Sequence, residues 1–109
     1  MASMREPTFL ILTALAGGPR HGYGIIGEVN ALSAGRVTLL PGTLYTALDR
    51  LVAQGHVAHD RDEHVDGRLR RYYRLTPRGQ QALETETARL RQLATAAETR
   101  LRALRPRTA

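Results

Sequence analysis

Asp66-Gly67-Arg68-Leu69-Arg70-Arg71-Tyr72-Tyr73-Arg74-Leu75-Thr76-Pro77 changes the period of the chain. Asp-Gly is the dipeptide of a tight type I′ hairpin turn, whose two central residues both take positive φ. From Arg68 onward one face reads Leu69, Arg71, Tyr73, Leu75 and the other Arg68, Arg70, Tyr72, Arg74, the alternation of a half-buried strand. Thr76 is a good helix N-cap and Pro77 a good first helical residue, because its missing N–H is not needed there. A two-residue turn also fixes the register: Val65 opposite Arg68, Glu63 opposite Arg70, Asp62 opposite Arg71. Two carboxylates then face two guanidiniums, at roughly 0.2–1 kcal/mol per pair. With the acids so occupied, Arg68 is the freest cation of the hairpin.

Upstream of this hairpin the period is that of helices. Thr8 to Ala16 is apolar in nearly every direction (Phe9, Leu10, Ile11, Leu12, Ala14, Leu15, Ala16), a short helix that wants burial on more than one side, and Gly17-Gly18-Pro19 ends it. His21-Gly22-Tyr23-Gly24 opens a second helix, with Ile25, Val29 and Leu32 on one face and Ser33-Ala34-Gly35 as its close. Pro41-Gly42-Thr43 opens a third, in which Leu44, Leu48, Leu51 and Val52 form the apolar stripe and Gly55 is the stop. Its opposite face carries Gly42, Thr43, Thr46, Asp49, Arg50 and Ala53, with Tyr45 on the flank. Downstream, Leu83, Leu90, Leu93, Ala97, Leu101 and Leu104 recur at heptad-like steps in a long, otherwise charged helix that ends near Arg105-Pro106. The expected class is mostly α with a β-hairpin wing: a winged helix-turn-helix over 1–76, then a C-terminal dimerisation helix and short tail over 77–109.

Composition narrows the function classes. At 109 residues the chain fits one domain of modest size, and 42% apolar residues are enough for a core built from Leu, Ile, Val and Ala. No apolar run approaches the roughly 18 residues of a membrane span, and Met1 to Pro7 lacks the shape of a signal peptide. A soluble, cytoplasmic protein is expected. The chain has no Cys, which removes disulfides, thiolate metal sites and cysteine nucleophiles. His56, His59 and His64 do not converge as ligands, since positions 56 and 59 of a strand face opposite ways and His64 lies near the hairpin tip. There is no Gly-rich phosphate loop and no Ser–His–Asp spacing, and Glu84 and Glu86 read as solvated charges on an exposed turn. Neither an enzyme, a metal site nor a cofactor is expected. The net charge of +6, carried entirely by arginine, points to a nucleic acid or other anionic partner, although most of the excess sits in the C-terminal third.

These residues are similar to the PadR family of bacterial transcription regulators. The similarity lies in Phe9-Leu10-Ile11-Leu12, His21-Gly22-Tyr23-Gly24-Ile25, Gly42-Thr43-Leu44-Tyr45, Leu48-Asp49-Arg50-Leu51 with Gly55, and Arg71-Tyr72-Tyr73-Arg74-Leu75-Thr76-Pro77-Arg78-Gly79. The motifs run in the family's order from Met4 to Leu83. The resemblance implies a winged-helix DNA-binding domain, a homodimer made through the C-terminal helix, and repression of nearby genes, with a small aromatic or drug-like effector as a further partner. Two departures stand out: Thr46 replaces the Pro of many members, and the chain has no Trp to sandwich a flat ligand.

On this reading the helix from Pro41 to Gln54 enters the major groove of a pseudo-palindromic operator on double-stranded DNA. Thr43 and Thr46 touch base edges, the Tyr45 hydroxyl meets a phosphate, Arg50 neutralises one, and Arg68 and Arg70 of the wing follow a flanking minor groove. Asp49 repels phosphate and is expected to face away or bond a neighbouring donor. Leu83, Leu90, Leu93, Ala97, Leu101 and Leu104 form the dimer seam. The alternative is a winged-helix module that binds protein, which would display large apolar residues where this chain has Thr43 to Arg50.

Overall fold

The computed structural model describes residues 4–106; the outer ends of the two expected parts, 1–3 and 107–109, lie outside the described residues. The elements are α1 (Glu6–Ala16), β1 (Arg20–His21), α2 (Gly22–Leu32), α3 (Pro41–Ala53), β2 (Val57–Val65), β3 (Arg68–Leu75) and α4 (Pro77–Leu104). Three helices, a hairpin and a long helix are the expected winged helix-turn-helix with its extension. The addition is β1, which pairs Arg20 with Tyr73 and His21 with Tyr72, giving an antiparallel sheet of order β1-β3-β2.

The core confirms the helical stripes. Ile11, Leu12, Ile25, Val29, Leu44, Leu48, Leu51 and Val57 are fully buried, with Tyr73 entering from the sheet. Leu10, Ala14 and Leu15 of α1 are buried as well, against α2, β3 and α4 of the same chain. Most of the apolar circumference of α1 is thus covered within one chain, while Phe9 stays half-buried and Ala16 exposed. Leu32 departs from its expected face and is 44% exposed at the end of α2.

The hairpin register is the expected one, with Val65 opposite Arg68, Glu63 opposite Arg70 and Asp62 opposite Arg71. Asp66 and Gly67 both take positive φ, 52° and 76°, as a type I′ turn requires. The charge pairing follows the register only in part. Asp62 lies 3.5 Å from Arg71, but Glu63 turns to Arg61 at 3.6 Å and leaves Arg70 without it. The cause is a bulge between His59 and Asp62 that puts an extra residue into β2. It carries Arg61 to 4.0 Å over the Tyr72 ring and within 3.0 Å of Asp60. The wing is also less buried than strict alternation suggests: Leu69 is 54% exposed, and burial begins only at Tyr72.

Helix α4 starts as its sequence indicates. The Thr76 hydroxyl accepts the Gly79 N–H at 3.0 Å and donates to the Gly55 carbonyl at 2.6 Å. Gly79 lies so close to the His56 carbonyl that a β-carbon there would overlap it. Two turns later comes a correction: Glu86 is not a solvated charge but is 7% exposed, with Arg89 donating two hydrogen bonds to it at 2.9 and 2.6 Å. Those bonds hold its carboxyl below the usual carboxylate range against the cost of burial, helped by the Met4 N–H. Beyond this anchor the helix leaves the body, and every residue from Leu90 to Pro106 is exposed. No helix among the described residues is long and apolar enough to cross a membrane.

Candidate nucleic-acid interface

At about 100° per residue, the buried stripe of α3 leaves Gly42, Thr46 and Asp49 along the outer crest, Thr43 and Arg50 on the flank toward α1, and Tyr45 on the flank toward the wing. All of these residues are exposed. No side chain caps the first turn of α3, whose N-cap is Leu40. Asp49 stands among small polar groups and takes part in no ion pair among the described residues.

On the wing flank, Tyr45, Arg68 and Arg70 meet in one cleft of about 120 Å³, together with His21, Tyr23 and Leu69. Three features of the chain bring these residues together. The tight turn folds Arg68 and Arg70 back beside α3, the pairing of β1 with β3 brings the start of α2 against the wing, and Gly22 makes room for Tyr45. The Tyr45 hydroxyl lies against Gly22 at a separation that no β-carbon tolerates. His21 caps α2, its Nδ1 accepting the Gly24 N–H at 3.2 Å, and meets the Tyr72 ring edge-on at 5.3 Å. Burial pushes the His21 pKa down, and the nearby Arg70 charge adds to the effect.

On the opposite flank, Thr43, Thr46 and Arg50 line a groove of about 570 Å³ that α1 closes with Arg5 and Thr8. Arg50 is not wholly free, since its guanidinium donates to the Thr8 hydroxyl at 3.0 Å.

Ion pairing sorts the arginines of the body. Arg20 meets Glu28 at 3.8 Å, Arg36 meets Glu6 at 3.1 Å, and Arg61, Arg71 and Arg74 meet the acids of β2. Arg5, Arg50, Arg68 and Arg70 have no carboxylate partner among the described residues. The structure therefore gathers the expected Tyr45, Arg68 and Arg70 on one side of α3, and places Thr43, Thr46 and Arg50 on its crest and far side. Tyr23, 70% exposed in the same cleft, and Arg5 do not stand out in the sequence as site residues. The His21-Gly22-Tyr23-Gly24 motif holds a signal for the first, since such a motif at a helix start leaves its aromatic side chain outside the core.

Of the expected seam, Leu90, Leu93, Leu101 and Leu104 are 38%, 55%, 59% and 78% exposed, and Ala97 is exposed between them. Leu83 is partly buried and packs on the core of its own chain.

The pattern of the transcriptional regulator PadR-like family matches residues 11–85. The chain is 43% identical over 75 residues, 69% of its length, to the transcriptional regulator Rv3488 of Mycobacterium tuberculosis. It spans 56% of that relative's length and 22% of another's. A PadR family transcription regulator from Clostridium difficile superimposes with a TM-score of 0.74 at 24% identity, over 89% of this chain and 99% of that one. Bacillus subtilis PadR, solved in complex with operator DNA, gives 0.65 at 23% identity, over 74% and 46%. Sequence pattern and fold agree, and the chain belongs to the PadR-like family of transcriptional regulators.

Proposed function

We propose that this regulator binds double-stranded DNA sequence-specifically as a homodimer and represses genes near its operator. Residues 1–76 read the duplex and 77–109 join the two copies. The observation that carries the reading is the cleft in which Tyr45, Arg68 and Arg70 converge beside the exposed polar crest of α3. Neither arginine is neutralised by a carboxylate among the described residues, so both offer full charge to phosphates. A crest of Gly42, Thr46 and Asp49 is small enough to enter a major groove and polar enough to meet base edges. It also speaks against a protein-binding winged helix, which would need a large apolar contact there.

The exposed leucines of α4 give the second copy its seat, because a seam of this kind is covered by a symmetric partner. Two-fold symmetry then sets the reading helices about 34–36 Å apart, one turn of DNA. A groove of about 580 Å³ between the end of α1, Leu75 and the root of α4 is where a small aromatic or drug-like effector would alter the angle of that helix.

A gel-shift titration with the DNA upstream of its own gene, at two salt concentrations, tests the reading. Binding that weakens steeply with salt is expected. Absent or salt-insensitive binding overturns it.

A further inference from the structure

We infer that the α1 flank of α3 is a second phosphate clamp, with Arg5 as a DNA-contacting residue alongside Arg50. This rests on the proposed DNA binding and extends it to a surface that neither the wing nor α3 alone provides. Arg5 precedes the first turn of α1, and the fold brings it to the same groove as Arg50, Thr43 and Thr46.

Three observations carry the inference. First, these two guanidiniums sit on one groove without a carboxylate among the described residues, although six other arginines, Arg89 included, are paired. The nearest acid in sequence, Glu6, is engaged by Arg36 at 3.1 Å. Second, Arg50 is held at the groove by the Thr8 hydroxyl, a neutral acceptor that orients the guanidinium and leaves its charge uncancelled. Third, four of the unpaired arginines of the body fall on the two flanks of α3, Arg68 and Arg70 toward the wing and Arg5 and Arg50 toward α1, while Arg78 lies at the start of α4. A helix lying in a major groove has a sugar–phosphate backbone on each side, about 12 Å apart across the groove. Cations on both flanks match that geometry, whereas cations on one flank would suit a helix resting on a single strand. On the groove floor the half-buried Ala47 offers apolar contact to deoxyribose carbons.

The test measures operator affinity against salt for the full chain and for Arg5→Gln, Arg68→Gln and Arg102→Gln, with ethylation interference to map the phosphates contacted. Arg5→Gln is expected to fold normally, since its side chain is exposed, and, because each copy of the dimer loses one phosphate contact, to lower the slope of log K against log salt by about 1.8. It is also expected to lose interference at phosphates on the strand across the major groove from those lost in Arg68→Gln. Arg102→Gln, the same charge change on the exposed end of α4, should leave both unchanged. If wild type and Arg68→Gln behave as proposed while Arg5→Gln keeps the full slope and footprint, the clamp is overturned and the DNA reading stands. If the wild-type chain binds no operator, both fall together.

Discussion

His21 accepts the Gly24 N–H through Nδ1, which only the neutral ring can do. Burial and Arg70 lower its pKa, so its contribution to stability is present above the ordinary histidine pKa, about 6.5, and is lost as pH falls through the lowered folded value. The melting temperature should therefore drop on acidification through that window. His21→Asn, which keeps a capping oxygen but cannot titrate, should flatten the drop; a cap of this kind stabilises by about 1 kcal/mol. An unchanged pH profile in the variant would count against this role. At Gly22 the neighbour is the far end of a mobile side chain, the Tyr45 hydroxyl. Gly22→Ala is expected to push Tyr45 aside and weaken operator binding severalfold, with the melting temperature nearly kept. A large loss of stability in thermal unfolding would show instead that Tyr45 is locked in place.

The hairpin is the element most fully legible in the sequence, and the reason is geometric. A two-residue turn leaves one register, so locating Asp66-Gly67 is enough to set Asp62 against Arg71. Replacing Gly67, whose φ is 76°, by Val should destabilise the wing by about 1–2 kcal/mol. Hydrogen exchange should then quicken at β2 and β3 amides while the core helices stay protected. The bulge is not legible because Asp60-Arg61-Asp62-Glu63 is polar throughout and has no apolar beat from which a shift could be read. Strand β1 is hidden for a similar reason, since two residues between a proline and a glycine are too few to show a period. Glu86 reads as solvated because the chain near Met4 covers it, a tertiary contact that no local pattern encodes; the Arg89 pair, three residues on in the same helix, is the part that spacing alone could have shown. For the candidate site, the α3 residues are visible as the polar side of an amphipathic helix. Arg5 is not, because its relation to Arg50 exists only once α1 is laid beside α3.

Taken whole, the molecule is 68 Å long and 28 Å across at its next widest, because the second half of α4 stands clear of the body. Leu90 to Leu104 project by roughly 22 Å, at about 1.5 Å per residue. In the proposed dimer, Leu101→Glu should yield monomers in sedimentation and abolish the dependence of the melting temperature on protein concentration; a variant that stays dimeric would place the seam elsewhere. The start of α4 is the tightest spot among the glycines, where Gly79 lies against the His56 carbonyl. Leu83 and Glu86 hold the next turns to the body, so the projecting part is a lever whose fulcrum lies near Arg89. At about 1.5 Å per residue, a small tilt there is multiplied along roughly 22 Å, and the operator spacing of the proposed dimer should answer to whatever shifts that fulcrum.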